Sequence, residues 1–270
     1  MRRLCACLGV SPSGYYDWLS RPLSARAKVD AQLLPEIRRV FRRSRQTYGY
    51  PRVHAALNQQ GIDCSRHKVA RLMRHNGIVA KMKAHCKSQP IMKRLYAGEG
   101  NRLLERGPTQ ACDEVWVADF TYIRTRTSWL YLAVVMDRHS RRILGWAMSH
   151  ERNAQLTSEA LRMAIYRRGS ALGILFHSDR GIEYVAHEIR DILMEAGMLR
   201  SLSRKGNCYD NAHMESFFHS LKTEMVYFED FRSLEEGMRK LKGYIGYYNH
   251  ERLHSSLGYR SPAQYEAANG

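Results

Sequence analysis

Three carboxylates stand where an acid is hard to explain by solubility alone. Asp119 falls in Asp119-Phe120-Thr121-Tyr122, Asp179 in His177-Ser178-Asp179-Arg180-Gly181, and Glu215 in Asp210-Asn211-Ala212-His213-Met214-Glu215-Ser216. An acid inside an apolar strand is costly to bury unless a cation compensates it. Oxygen-only ligands suit Mg²⁺ or Mn²⁺, which share their shells with water and phosphate. Two such ions about 3.5–4 Å apart stabilise the attacking and leaving oxygens of a phosphodiester displacement. Lys222 follows Glu215 by seven residues, so both return to nearly one helical face, about 10 Å apart along the axis. A cation there, or at Arg204 and Lys205 in the loop before the helix, could hold a DNA phosphate beside the ions. Spacing alone does not single out the triad: Asp137, Glu183 and Asp210 are alternative acids, although Asp137 suits a strand-ending turn and Asp210 a helix cap.

These acids must be positioned by an α/β core. From Val115 the apolar period becomes two, and Val115–Thr125 and Trp129–Asp137 are rich in β-branched and aromatic residues, which predicts a hairpin. Arg142–Ser149 reads as a third strand, Asn153–Arg168 as a helix and Gly173–His177 as a short strand ending near Asp179. Tyr184–Ala196 reads as helix, Leu199–Leu202 as the last strand, and Asn211–Val226 as the long helix carrying Glu215 and Lys222. Helices at Ser233–Tyr248 and Ser261–Ala268 close the chain. Three antiparallel strands followed by alternating helices and strands give a mixed sheet with flanking helices.

The N-terminal part is different in kind. Residues 1–110 hold 22 Lys and Arg against 6 Asp and Glu, whereas residues 111–270 hold 21 against 20, so nearly all of the net charge of +17 precedes the α/β core. Such a basic segment is the electrostatic footprint of a polyanion binder. Asp30 can cap a helix with Leu33, Leu34, Ile37, Val40 and Phe41 on one face. Pro51 suits the start of a helix ending near Gln60, and Ser65 caps another with Val69, Leu72 and Met73 buried. The last two form a helix-turn-helix whose second helix presents Arg66, Lys68, Arg71 and Arg74 to phosphates and guanine edges. Leu8-Gly9-Val10-Ser11 before Tyr15-Tyr16-Asp17-Trp18 is a candidate second unit of this kind. The domain boundaries expected are 1–80 for the all-α DNA-binding region, 81–112 for a basic linker, 113–230 for the core and 231–270 for its helical extension.

The six cysteines contain no Cys-x-x-Cys pair, so a zinc site is not expected, and free thiols fit a reducing compartment. Leu4–Val10 is too short for a signal sequence, and no stretch approaches the roughly 20 apolar residues of a membrane span. A cytoplasmic location is therefore expected.

The motifs surrounding these residues resemble a known family. Thr47-Tyr48-Gly49-Tyr50-Pro51-Arg52, Val115-Trp116-Val117-Ala118-Asp119, Trp129-Leu130-Tyr131-Leu132-Ala133-Val134, Ser201-Leu202-Ser203-Arg204-Lys205-Gly206-Asn207-Cys208, Glu215-Ser216-Phe217-Phe218 and His254-Ser255-Ser256-Leu257-Gly258-Tyr259 are similar to those of bacterial insertion-sequence transposases with a retroviral-integrase-like core, the downstream product of two-frame elements. The 35 residues between Asp179 and Glu215 are the family spacing. The resemblance implies a ribonuclease-H-like fold, catalytic carboxylates Asp119, Asp179 and Glu215 on two Mg²⁺ ions, and Lys222 near a substrate phosphate. It implies 3′-end cleavage and strand transfer on double-stranded DNA, through a circular element. It further suggests a homo-oligomer on DNA and an upstream-frame product as fusion or partner. Ile182-Glu183-Tyr184 departs from the family's Ser-Gln-Tyr and adds a carboxylate four residues after Asp179. A structure-specific nuclease and a non-catalytic DNA binder are the competing readings.

Overall fold

The computed structural model describes the chain apart from Leu23, residues 82–101 and 204–210, and Gly270. Arg204, Lys205 and Asp210, singled out above, lie outside the described residues, as does most of the expected linker. The chain divides into two units, Met1–Ala80 and Lys81–Gly270.

The first unit is helical: α1 (Arg2–Cys7), α2 (Pro12–Ser20), α3 (Ala25–Arg43), α4 (Tyr50–Gln59) and α5 (Arg66–His75). Leu33, Ile37 and Val40 of α3, Val53 and Leu57 of α4 and Val69 and Leu72 of α5 are buried, and α3 packs against both α4 and α5. Ser65 caps α5 as its sequence position suggests, accepting from the Lys68 N–H at 3.2 Å. Asp30 does not cap α3. Ser24 does so, accepting from the Ala27 N–H at 3.1 Å, because Ala25-Arg26-Ala27-Lys28 extends the helix by another turn. Asp30 lies inside α3 and accepts instead from Arg71 of α5 at 2.6 Å.

The second unit contains α6 (Leu103–Arg106), β1 (Val115–Arg124), β2 (Trp129–Asp137), β3 (Ile143–Ser149), α7 (Ala154–Arg168), β4 (Leu175–Ser178), α8 (Ile182–Val185), α9 (His187–Glu195), β5 (Leu199–Leu202), α10 (Ala212–Glu224), α11 (Leu234–His250) and α12 (Pro262–Asn269). The strands form one sheet in the order β3-β2-β1-β4-β5. β1–β2 and β2–β3 are antiparallel, and β1–β4 and β4–β5 parallel. Alternate residues of β1 enter opposite cores. Val115, Val117 and Ile123 pack with Met214, Phe217 and Leu221 of α10 and with α11. Trp116 and Ala118 pack with Leu161 of α7 and Ile189 of α9. Helices on both faces explain why these strands are apolar almost throughout. At Gly145 a Cβ would fall 2.0 Å from the Ala160 carbonyl oxygen, so only glycine lets α7 approach β3 this closely.

The helix expected over Tyr184–Ala196 is broken. Ala186 is extended between α8 and α9, with φ −55° and ψ 148°. On one continuous helix Tyr184 and Ile189 would point about 140° apart. The break lets both be buried, Tyr184 at 1% exposure and Ile189 at 0%. Among the described residues, no helix is long and apolar enough to cross a membrane.

Candidate active site

The ladder between β1 and β4 ends at Ala118 and Ser178. The next residue along each is an acid, so Asp119, inside β1, and Asp179, just past β4, stand at one level of adjacent parallel strands. Carboxyl ends of parallel strands are where open α/β sheets hold ligands. Asp119 Oδ1 accepts from the Phe120 N–H at 2.8 Å, and Asp179 Oδ1 from the Gly181 N–H at 2.9 Å. A Cβ on Gly181 would stand 3.0 Å from Asp179 Oδ1 and 2.9 Å from Glu183 Oε2, so a side chain here would push on both carboxylates.

Behind the acids the site is rigid. His177 is buried between the hydroxyls of Ser201 (2.9 Å) and Ser203 (3.0 Å), and Arg180 Nε donates to the Ser203 carbonyl at 2.8 Å. Asn211, just before α10, donates from Nδ2 to the Ala118 carbonyl at 3.1 Å, which ties the helix carrying Glu215 to the strand carrying Asp119. Glu215 is exposed, and Lys222 lies two turns further along α10, partly buried. Burial lowers the Lys222 pKa, while the charge of Asp119 opposes that shift, so this ammonium lies within the field of that carboxylate.

The donor set fits a hard divalent cation. Two carboxylates where the β1–β4 ladder ends and a third on a helix tied to β1 offer oxygen only. Tyr184 provides a second observation. Its hydroxyl is buried and has no hydrogen-bond partner among the described residues. Burial raises its pKa well above the ordinary value, and the charges of Asp119, Asp179 and Glu183 add to the effect. The field at this point is negative, and a cation would relieve it. Asp119, Asp179 and Glu215 are the residues that could hold one.

The alternative acids are accounted for differently. Asp137 is fully buried and accepts from the N–H groups of Ser140 and Asp113, both at 2.7 Å, as the end of β2 turns. It lies in the one group of three potential ligands found among the described residues, Cys112, Asp137 and Glu266, whose ligand atoms are within 4.8 Å of one another. That group is a structural knot. Glu266 is held by Arg168, by Arg142 at 2.5 Å and by Ser140 at 2.7 Å. Burial, aided by Asp137 and Glu266, pushes the Cys112 thiol up to about 11, so it stays protonated at neutral pH. Glu183 pairs with Arg152, whose Nη2 lies 3.3 Å from Oε2 and whose guanidinium stands 4.5 Å from the Phe120 ring centroid. Arg152 thus links the residue after Asp119 to the turn after Asp179.

In the first unit, Arg66 and Arg74 are exposed, Lys68 is partly buried, and Arg66 stands 5.3 Å from the Tyr50 ring centroid. Arg71 is engaged by Asp30, which occupies part of its guanidinium. Sequence reasoning did not find Tyr184, Arg152 or Asn211. Tyr184 alone left a signal, as the aromatic residue following the unexpected Glu183.

Family models described as an integrase core domain match residues 110–208 and 215–269, and an HTH-like domain model matches residues 28–85. The chain is 38% identical over 263 residues to the insertion element IS600 31 kDa protein of Shigella sonnei, covering 97% of each. It is 38% identical over 278 residues to the transposase InsF for insertion sequence IS3A of Escherichia coli strain K12, covering 100% of this chain and 94% of that one. Among solved structures, the HTLV-2 integrase catalytic core domain in complex with magnesium is similar, with 14% identity, a TM-score of 0.45, and coverage of 59% of this chain and 99% of that one. With its mixed five-stranded sheet between helices, the second unit has the ribonuclease-H-like fold, and the chain belongs to the integrase-core transposases of insertion sequences, polynucleotidyl transferases of the DDE class.

Proposed function

We propose that the chain cleaves the 3′ end of its element and joins the freed 3′-OH to another phosphodiester, at a site formed by Asp119, Asp179 and Glu215. The observation that carries this reading is the placing of Asp119 and Asp179 at one level of adjacent parallel strands, with Lys222 in the field of Asp119. Two Mg²⁺ ions held there would activate water or the 3′-OH and stabilise the charge of the displacement. Asp119 and Asp179 each accept a backbone N–H at Oδ1, which would steady one oxygen of each carboxylate. Lys222, half desolvated, would hold the phosphate flanking the scissile bond. In the first unit, Arg66, Lys68, Arg71 and Arg74 would bind double-stranded DNA of the element ends, with Arg71 first releasing Asp30. Arg204 and Lys205, before α10, would contact the same strand as Lys222. A homo-oligomer on paired ends, with an upstream-frame product as partner or fusion, completes the reading, and no zinc takes part.

The decisive assay supplies a pre-cut element end and a target duplex with Mg²⁺, to the chain alone and with the upstream product. Joined products are expected. Hydrolysis without joining in both arms would assign the core to a nuclease instead.

Glu183 is read as a positioning residue, not a ligand, since Arg152 holds its carboxylate. Glu183→Gln keeps an oxygen for Arg152. It is expected to leave the Mg²⁺ concentration for half-maximal cleavage within about tenfold of wild type, the lower end of what loss of an outer partner costs. A shift beyond about a hundredfold would place Glu183 among the ligands.

A further inference from the structure

Residues 119–124 of β1 run past its last pairing with β4, and Tyr122 and Arg124 alternate there with buried Thr121 and Ile123. On this lip two large aromatic side chains are left open to solvent, Tyr122 at 40% and Trp129 at 41% exposure. Their rings meet edge to face, with centroids 5.3 Å apart. A cation stands over one face of each ring: Arg124 Cζ is 5.0 Å from the Trp129 centroid, and Lys222 Nζ 5.6 Å from that of Tyr122. Cross-strand aromatic pairs commonly do no more than steady a hairpin. This one differs because Lys222 joins it to the candidate active site, lying also in the field of Asp119. No acidic side chain pairs with Arg124 or Lys222 among the described ion pairs of the lip. Exposed rings interleaved with cations are what an unpaired strand needs: a π-face for the base and a positive charge for each flanking phosphate.

We propose that Tyr122 and Trp129 form a stacking platform for an unpaired base of the DNA strand engaged at the carboxylate site, with Arg124 and Lys222 on the phosphates either side of it. The proposal rests on the reading of Asp119 as the strand-processing site. A base seated there would be drawn out of the duplex next to the bond being broken or joined. The platform therefore discriminates between paired and unpaired ends without reading sequence, because every base has a π-face.

The test is binding of the full chain, without divalent metal, to a fluorescent oligodeoxythymidylate and to a blunt duplex of the same length. Trp129→Ala should weaken oligodeoxythymidylate binding by about tenfold and duplex binding by much less. Trp129→Phe should restore most of the loss, and Tyr122→Leu should reproduce it while Tyr122→Phe should not. Equal losses on both DNAs, or no loss on either, would overturn the platform. Melting curves of each variant check that the hairpin is intact, and a variant that unfolds is replaced by the ring-preserving Trp129→Phe and Tyr122→Phe compared with Arg124→Gln. The assay needs no chemistry, so its outcome is separate from that of the strand-transfer assay: a chain that only hydrolyses DNA could still show the stacking preference, and a strand-transferring chain could lack it.

Discussion

Asp179→Asn is expected to lower cleavage and strand transfer by more than about a hundredfold, because a ligand touches the ion directly and outer partners alone cost about 10–100-fold. DNA affinity should stay close to wild type. Asn keeps the side-chain oxygen that accepts from the Gly181 N–H, so the turn at 2.9 Å is retained. The fold behind it is also independent of the charge: His177 is held by Ser201 and Ser203, and Ser203 N–H donates to the Ser178 carbonyl at 2.9 Å. The substitution therefore removes one negative charge and one metal-binding oxygen, and little else. The measurement is a cleavage and joining time course in Mg²⁺, with a gel-shift titration of the same variant. Wild-type-like cleavage would remove Asp179 from the site.

How far the sequence prescribes this site depends on how local the determining interaction is. The hairpin was legible because alternation in Val115–Arg124 and Trp129–Asp137 is a local signal, and these strands end within a residue of where the pattern ends. Asp119 can be placed within the first strand and Asp179 at the end of a later one for the same reason, but not side by side. Their common level follows from the parallel register of β1 and β4, strands separated by 50 residues or more, and only the family motifs linked them beforehand. The break at Ala186 is not legible: it goes with the burial of both Tyr184 and Ile189, which no helical periodicity records. Asp30 shows the reverse error. A good capping residue suggests a cap, yet its partner is Arg71, 41 residues away. Arg152 was invisible as well, because a surface arginine beyond β3 carries no mark of the carboxylate it meets 31 residues later. Pattern and motif thus locate the acids, while the groups that aim them are fixed by tertiary contacts.

The largest effect on stability is expected at Arg252, which joins the C-terminal segment to the end of α10. Its guanidinium is almost wholly buried, at 3% exposure, and grips Glu224 with Nε to Oε2 at 2.9 Å and Nη2 to Oε1 at 2.6 Å. The Ser220 hydroxyl accepts a further bond at 3.0 Å, and the Tyr244 hydroxyl donates to Glu224 at the same distance. Burial alone would depress the Arg252 pKa, but the Glu224 carboxylate outweighs it and holds the pKa raised. Such a pair contributes modestly as a whole, whereas removing one partner strands a buried charge. Arg252→Met should therefore cost about 3–5 kcal/mol, seen as a fall in melting temperature on the order of 10 °C. Removing both charges, in Arg252→Met with Glu224→Leu, should recover most of that loss, because no uncompensated carboxylate is left. A single variant melting within about 1 °C of wild type, or a double variant less stable than the single, would refute the account. Lys222 lies two residues before Glu224, so the same substitution should loosen the helix end that presents its ammonium to Asp119, and joining activity in Arg252→Met should fall at temperatures where the chain is still folded.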